Sequence, residues 1–492
     1  MSGNQLRVRR RDVALAVLTG TVAWALNEYI FFDPAASLVV RLLIVPVFFL
    51  VALRSGWRAT QLLLFLGFAL AYRPRDVHLI AIADRVDYAY FSPNAAGLPG
   101  LSTSLTSLLF VTPLAYLYTR GGVRARPLRD YAIVGMALIL AWGLTFAAVT
   151  GIVRQSVPIG PIITDLKYPL FIIAGFVAVF VSGVSEDIVA SFLVKLGLII
   201  AVVTFLNAAM DVTLRHFLLS YNPALFFTIG AFTLVILRGD LRSPTTKVAA
   251  VLLALCSFPL GRGEQLVVML NVILLLGLLL YQPGRSRARR RTALLVAGVA
   301  ALATAVAGIS EISVQTRDFL IRKFELFASL GSTLDKSALV RVAEWGQVTA
   351  VHSVSDAVAL LFGRGFGGSF NLGGQFGRLA LDFSDYGPTE LALGQAYQPH
   401  LFVTYWILKV GIIGSIALLA IHIRGVTRTS RSQRYLLLSF LLPILWQAYW
   451  VPAYAFLTGV LLASTSQRSR DSFHDNPLRE LAEIPELPPA AT

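Results

Sequence analysis

Residues 188–208, IVASFLVKLGLIIAVVTFLNA, carry a single charge, Lys195. A run of about twenty apolar residues is the length a helix needs to cross the hydrocarbon core of a bilayer. Residues 131–150, YAIVGMALILAWGLTFAAVT, carry no charge at all. A backbone in lipid must satisfy its own polar groups, so runs like these are helices. A β-barrel would need short alternating segments, and these are solidly apolar. Composition agrees: 56% of the 492 residues are hydrophobic and 14% charged, against about a quarter charged in soluble domains.

Working outward from these two runs, similar segments fall near 13–32, 36–53, 58–72, 104–119, 168–184, 221–237, 246–260, 265–281, 292–310, 401–422, 435–450 and 452–465. The expected architecture is all-α: a polytopic transmembrane bundle of about fourteen helices with a helical extracytoplasmic cap. The start, Arg7 to Arg11 before an apolar run, reads as a retained signal anchor, because no small-residue cleavage site follows. The net charge is +15, which on a soluble protein would suggest nucleic acid. Here the arginines concentrate in alternate short loops: Arg54 and Arg58, Arg120 to Arg129, Arg238 to Lys247, Arg285 to Arg291, Arg424 to Arg434, then Arg468 and Arg470. The positive-inside rule makes these loops cytoplasmic, and both ends with them, so no nucleic-acid partner is expected. Pro443 either kinks one long helix or divides the last two. The lone Cys256 rules out an intrachain disulfide, and no Walker A loop is present.

The expected organisation is therefore residues 1–310 as transmembrane helices, 311–400 as a large outward loop, 401–465 as the C-terminal helices, and 466–492 as a polar, disordered cytoplasmic tail. Residues 73–103 and 151–167 are further outward segments, and the second, with Pro158, Gly160 and Pro161, is placed to dip into the membrane edge. The large loop carries helical spacing of its own at Phe319, Phe324, Phe327 and Leu330, and again at Leu339, Val342 and Trp345. Such loops on a rigid scaffold are where function usually sits.

Several outward polar residues are candidates for chemistry. Arg262, between two apolar runs, either snorkels to lipid phosphate or grips an anionic substrate with its guanidinium fork. Arg341 either pairs with Glu344 one turn on or binds an anion. Arg364 lies in Gly363-Arg364-Gly365-Phe366-Gly367-Gly368. That turn either caps a helix or brings backbone N–H groups up to an anion. His400 precedes the helix from Val403, and an outward histidine there is either an ordinary interface residue or a base. His78, His216 and His352 are outward as well.

These pieces resemble the superfamily of bacterial O-antigen ligases and Wzy-type O-antigen polymerases. Gly261-Arg262-Gly263 is similar to the family's Ser-Arg-Gly turn. Arg341 and Trp345, followed by Gly363-Arg364-Gly365-Phe366-Gly367, resemble its R-x3-W … G-x-G-x-G pattern. His400, leading to Gly411-Ile412-Ile413-Gly414, resembles its His-Asn … Gly-Ile-x-Gly. The likeness covers about residues 245–425. Gly261 stands where the family often has Ser, and Leu401 where it often has Asn, which removes a hydrogen-bonding partner near the acceptor.

The resemblance implies a glycosyltransferase of the bacterial plasma membrane whose active site faces outward. Its donor would be a glycan on an undecaprenyl (polyprenyl) diphosphate, and its acceptor a glycan or a lipid. It implies that Arg262, Arg341 and Arg364 bind the donor diphosphate and that His400 is the catalytic base of an inverting transfer. No metal or other cofactor is expected, because guanidinium groups can meet the charge developing on the leaving diphosphate. Asp382 and Asp385 lack Asp-x-Asp spacing. Polymerase is the first expectation; ligase and protein O-oligosaccharyltransferase share the motifs. The alternative from another class is a polysaccharide transporter or lipid-linked sugar flippase, which would show broken helices in repeated halves.

Overall fold

The computed structural model describes residues 6–26, 46–69, 130–154, 159–210, 224–257, 336–376, 391–427, 429–446 and 452–466, apart from 49, 375, 392 and 400. Helix accounts for 83% of them, so the all-α expectation holds at that level. The helices used below are α1 (Arg10–Ala25), α2 (Gly56–Phe68), α3 (Tyr131–Arg154), α4 (Ile159–Ser182), α5 (Glu186–Met210), α6 (Ala224–Arg238) and α7 (Pro244–Ser257). They continue with α8 (Lys336–Thr349), α9 (Val354–Phe362), α10 (Phe402–Thr427), α11 (Arg431–Trp446) and α12 (Pro452–Ser466). One antiparallel pair, β1 (Phe370–Asn371) with β2 (Gln395–Ala396), lies between α9 and α10.

Among the described residues, four stretches are long and apolar enough to cross a membrane: Tyr131–Gly151, Pro161–Ser182, Glu186–Leu206 and Phe402–Thr427. Their outward faces are themselves apolar, with Leu138 65% and Ile416 62% exposed. That pattern suits lipid rather than water. The expected spans 104–119, 265–281 and 292–310 lie outside the described residues, as does the helical spacing at Phe319, Phe324, Phe327 and Leu330.

One expectation is corrected. Residues 151–167 are not an extended outward segment: α3 runs to Arg154 and α4 already begins at Ile159. Pro161 is tolerated there because the first turn of a helix leaves its N–H groups unpaired anyway. The helical spacing at Leu339, Val342 and Trp345 falls on α8, where Val342 and Trp345 are 52% and 43% exposed. The buried stripe is Val340, Ala343, Glu344 and Val348. The two choices around Pro443 resolve as two helices, with Pro443 inside α11 and Pro452 opening α12.

Polar contacts gather several helix ends at one end of the bundle. Leu6 donates to the Arg238 carbonyl (3.1 Å) and accepts from the Asp240 amide (3.0 Å). Arg238 is buried in ion pairs to Glu186 (2.7 Å) and Asp187 (2.6 Å) at the start of α5. Ser430 and Gln433 form a reciprocal capping box at α11, and Arg424 sits over the Tyr131 ring at 4.8 Å. Lys195, the lone charge of its run, pairs with Asp12 of α1 at 3.0 Å. Elsewhere α4 and α12 cross closely: a Cβ on Gly459 would lie 2.0 Å from the Ile172 carbonyl. Small residues bring helices together in this way where the lipid supplies no hydrophobic drive.

A second, smaller apolar core joins α8, the β-pair and α10. It contains Val340, Ala343, Val348, Phe370, Leu372, Phe376, Ala396, Ile407 and Leu408.

Candidate functional site

The site begins with a break in a helix. Gly411 of α10 has φ 71° and ψ −178°, so residues 402–410 and 412–427 are two helical pieces joined by one non-helical residue. Positive φ at this position favours glycine. A Cβ there would lie 2.3 Å from the Leu361 carbonyl, so glycine is also needed for the close approach of α9.

Into this gap runs the segment after α9. Gly363 ends α9 by donating to the Ala359 carbonyl (2.8 Å). The Arg364 amide then donates to the Leu408 carbonyl (2.8 Å) and the Gly365 amide to the Lys409 carbonyl (3.0 Å). Phe366 N–H reaches the Gly143 carbonyl of α3 (3.0 Å), and Gly368 N–H turns back to Gly365 (3.0 Å). Gly367 N–H donates to the Asp165 carboxylate of α4 (2.7 Å). Six consecutive amides are thereby paired. Of the two readings of this turn, the helix cap is the one observed. The anion that one of its backbone N–H groups, Gly367, meets is the protein's own Asp165.

Asp165 is the hub. It is 1% exposed, and Lys409, its ion-pair partner at 2.7 Å, has a side chain with no exposure. Tyr405, one turn before Lys409, donates its hydroxyl to the other carboxylate oxygen (2.5 Å). Lys409 also donates to the Gly368 carbonyl (2.8 Å). Buried charge is costly unless it is paired and fully hydrogen-bonded, and both groups meet that condition. Trp142 donates to the Phe362 carbonyl (2.8 Å) and Thr150 to the Arg364 carbonyl (3.0 Å). Phe362 stacks near Trp142 and Phe146, with centroids at 5.9 and 5.8 Å.

Two of the four expected site residues fall in the described part. Arg364 is half-buried, and its guanidinium donates to the Ser369 carbonyl (2.6 Å). Arg341 is half-buried on α8, whose packed face meets the β-pair and α10 through the second core. Arg262 and His400 lie outside the described residues, as do His78 and His216. His352 is exposed, and its amide donates to Asp356 (3.1 Å). Ser353 caps α9 and also bonds the Asp356 carboxylate (2.8 Å). These contacts, the Ser353 hydroxyl first and the His352 amide second, hold the Asp356 carboxyl below its ordinary range, helped by the Arg364 charge.

Sequence reading did not single out Asp165, Tyr405 or Lys409. The signal was present in Lys409, a lone cation inside the apolar run 401–422. An ionisable group within a span is rare and marks a site or a partner.

Comparison with family models and with curated proteins returns no match for this chain.

Proposed function

We propose that this chain is a multi-pass glycosyltransferase of the bacterial plasma membrane, and within that class a polymerase. It joins lipid-linked oligosaccharide units, carried on undecaprenyl diphosphate, into a cell-surface polysaccharide by metal-independent inverting transfer. Both termini and the basic loops are cytoplasmic, about fourteen helices cross the membrane, and residues 311–400 form the outward cap. Arg262, Arg341 and Arg364 hold the donor diphosphate, and His400 takes the proton from the acceptor hydroxyl as it attacks the anomeric carbon. The observation that carries the reading is convergence. The helix with Arg341 and the glycine turn with Arg364 both pack against α10, the helix that follows His400 in the chain. Three separated motifs of the resemblance thus share one neighbourhood.

Purified protein incubated with a lipid-linked oligosaccharide tests this, read as glycan length on a gel. A ladder is expected. Transfer in one step to lipid A core would instead make it a ligase, and transfer to protein an O-oligosaccharyltransferase.

One observation favours the transporter reading: the broken helix α10, with a buried ion pair beside the break, is a feature such proteins use. Movement of the lipid-linked glycan across proteoliposomes, with no change in glycan length, would support it over the enzyme.

A further inference from the structure

Residues 361–368 reach far along the helices they touch. Phe366 bonds Gly143, eleven residues from the end of α3 at Arg154; Gly367 bonds Asp165, six residues into α4; Gly365 bonds Lys409, seven residues into α10. At 1.5 Å per residue these contacts lie about 9–16 Å in from the helix ends. Helices α3 and α4 have 24 residues each, or about 36 Å, against a hydrocarbon core of about 30 Å. They overhang that core by only a few ångströms at each end. The chain then climbs back through β1, pairs with β2, and reaches the start of α10 at Phe402.

Irregular backbone at such a depth is tolerated only where its polar groups are satisfied by protein, and the six paired amides meet that condition. Helix α9 matches the same descent. Its start is polar, with His352, Ser353, Ser355 and Asp356. Its open face is apolar at i, i+4 and i+7: Val354 is 82%, Val358 46% and Leu361 45% exposed. Phe362 stacks on Trp142 and Phe146 of α3, and Val149, further along that same side of α3, is 49% exposed, so the apolar face continues onto the span.

We infer that residues 353–369 form a re-entrant hairpin whose half-helix α9 presents Val354, Val358 and Leu361 to the acyl chains of one leaflet. The occupant of this open face is lipid, because the face is continuous with a span's own apolar exterior. The inference rests on α3, α4 and α10 crossing a bilayer, not on the proposed chemistry.

The test uses the full chain with Cys256→Ala and single cysteines at Val358, Leu361, Leu138 and His352. Each is labelled with an environment-sensitive fluorophore in phosphatidylcholine vesicles. Lipids brominated on the acyl chain should quench positions 358 and 361 as strongly as 138, and aqueous iodide should quench only 352. If 358 and 361 follow 352, the helix stands in water and the inference is overturned. Shielding of both from lipid and iodide alike also overturns it, because a second protein surface then covers the stripe. Failure of lipid to quench 138 would remove the membrane placement of α3 itself.

Discussion

At the scale of single residues, the buried pair of Asp165 and Lys409 carries the clearest consequence. Lys409→Met leaves Asp165 without its counter-charge and the Gly368 carbonyl without its donor. Breaking a buried pair from one side costs about 3–5 kcal/mol. Asp165→Asn combined with Lys409→Met removes both charges, while the Asn oxygen still accepts from the Gly367 amide and its NH2 faces the Tyr405 hydroxyl, which can turn to accept. Thermal unfolding in detergent should therefore rank the double variant above Lys409→Met. Equal melting points would mean that charge is not what the site depends on. The proposed chemistry is tested by three further variants in single-turnover transfer. Arg262→Lys keeps the charge and loses the fork, so it should lose most activity; normal turnover would return Arg262 to lipid snorkelling. His400→Ala should slow transfer by about 10²–10⁴-fold, while His352→Ala, exposed and bound only through its amide, should stay near wild type. Failure at His352 and not at His400 would reverse the assignment.

At the scale of elements, the glycines of the turn serve proximity rather than flexibility. Gly365 has φ 80°, and a Cβ would lie 2.1 Å from the Ala147 amide of α3. Gly394 has φ 62° but nothing within 4 Å of such a Cβ. Gly365→Ala should therefore cost on the order of 3 kcal/mol or more, strain and collision together, and Gly394→Ala about 1–2 kcal/mol from strain alone. Equal losses on thermal unfolding would contradict the packing described. This contrast also shows what the sequence could and could not reveal. The run 188–208 gave its helix directly, because length and hydrophobicity are local properties. The break at Gly411 was not legible, since Gly411 and Gly414 look alike in sequence and only the arrival of Leu361 distinguishes them. Asp165 was hidden for a similar reason. Its partners are 202 to 244 residues away, and Pro158, Gly160 and Pro161 made its surroundings resemble a loop. On α8 the helical period was legible, but not that Glu344 lies buried on its packed face, because that depends on the β-pair and α10 arriving from elsewhere in the chain.

At the scale of the whole molecule, the distribution of arginine predicts two faces. The contacts among Leu6, Glu186, Arg238 and Asp240 agree with one shared end for the N-terminus and the 238–247 loop. Single cysteines at Ser332 and Ser286 test the sidedness in intact cells with an impermeant reagent. Only position 332 should react; labelling at 286 would overturn the topology. The pairing of the glycine turn has one more implication, for synthesis. Its carbonyl and carboxylate partners on α3 and α4 are made before it, whereas those at Leu408 and Lys409 emerge after it. The turn is thus a seam that the ribosome leaves open until α10 arrives. A chain ending at residue 398 should hold residues 363–368 unsealed, cut by an added protease that spares the full-length protein. Equal protection of the two would mean that the first half of the seam closes by itself.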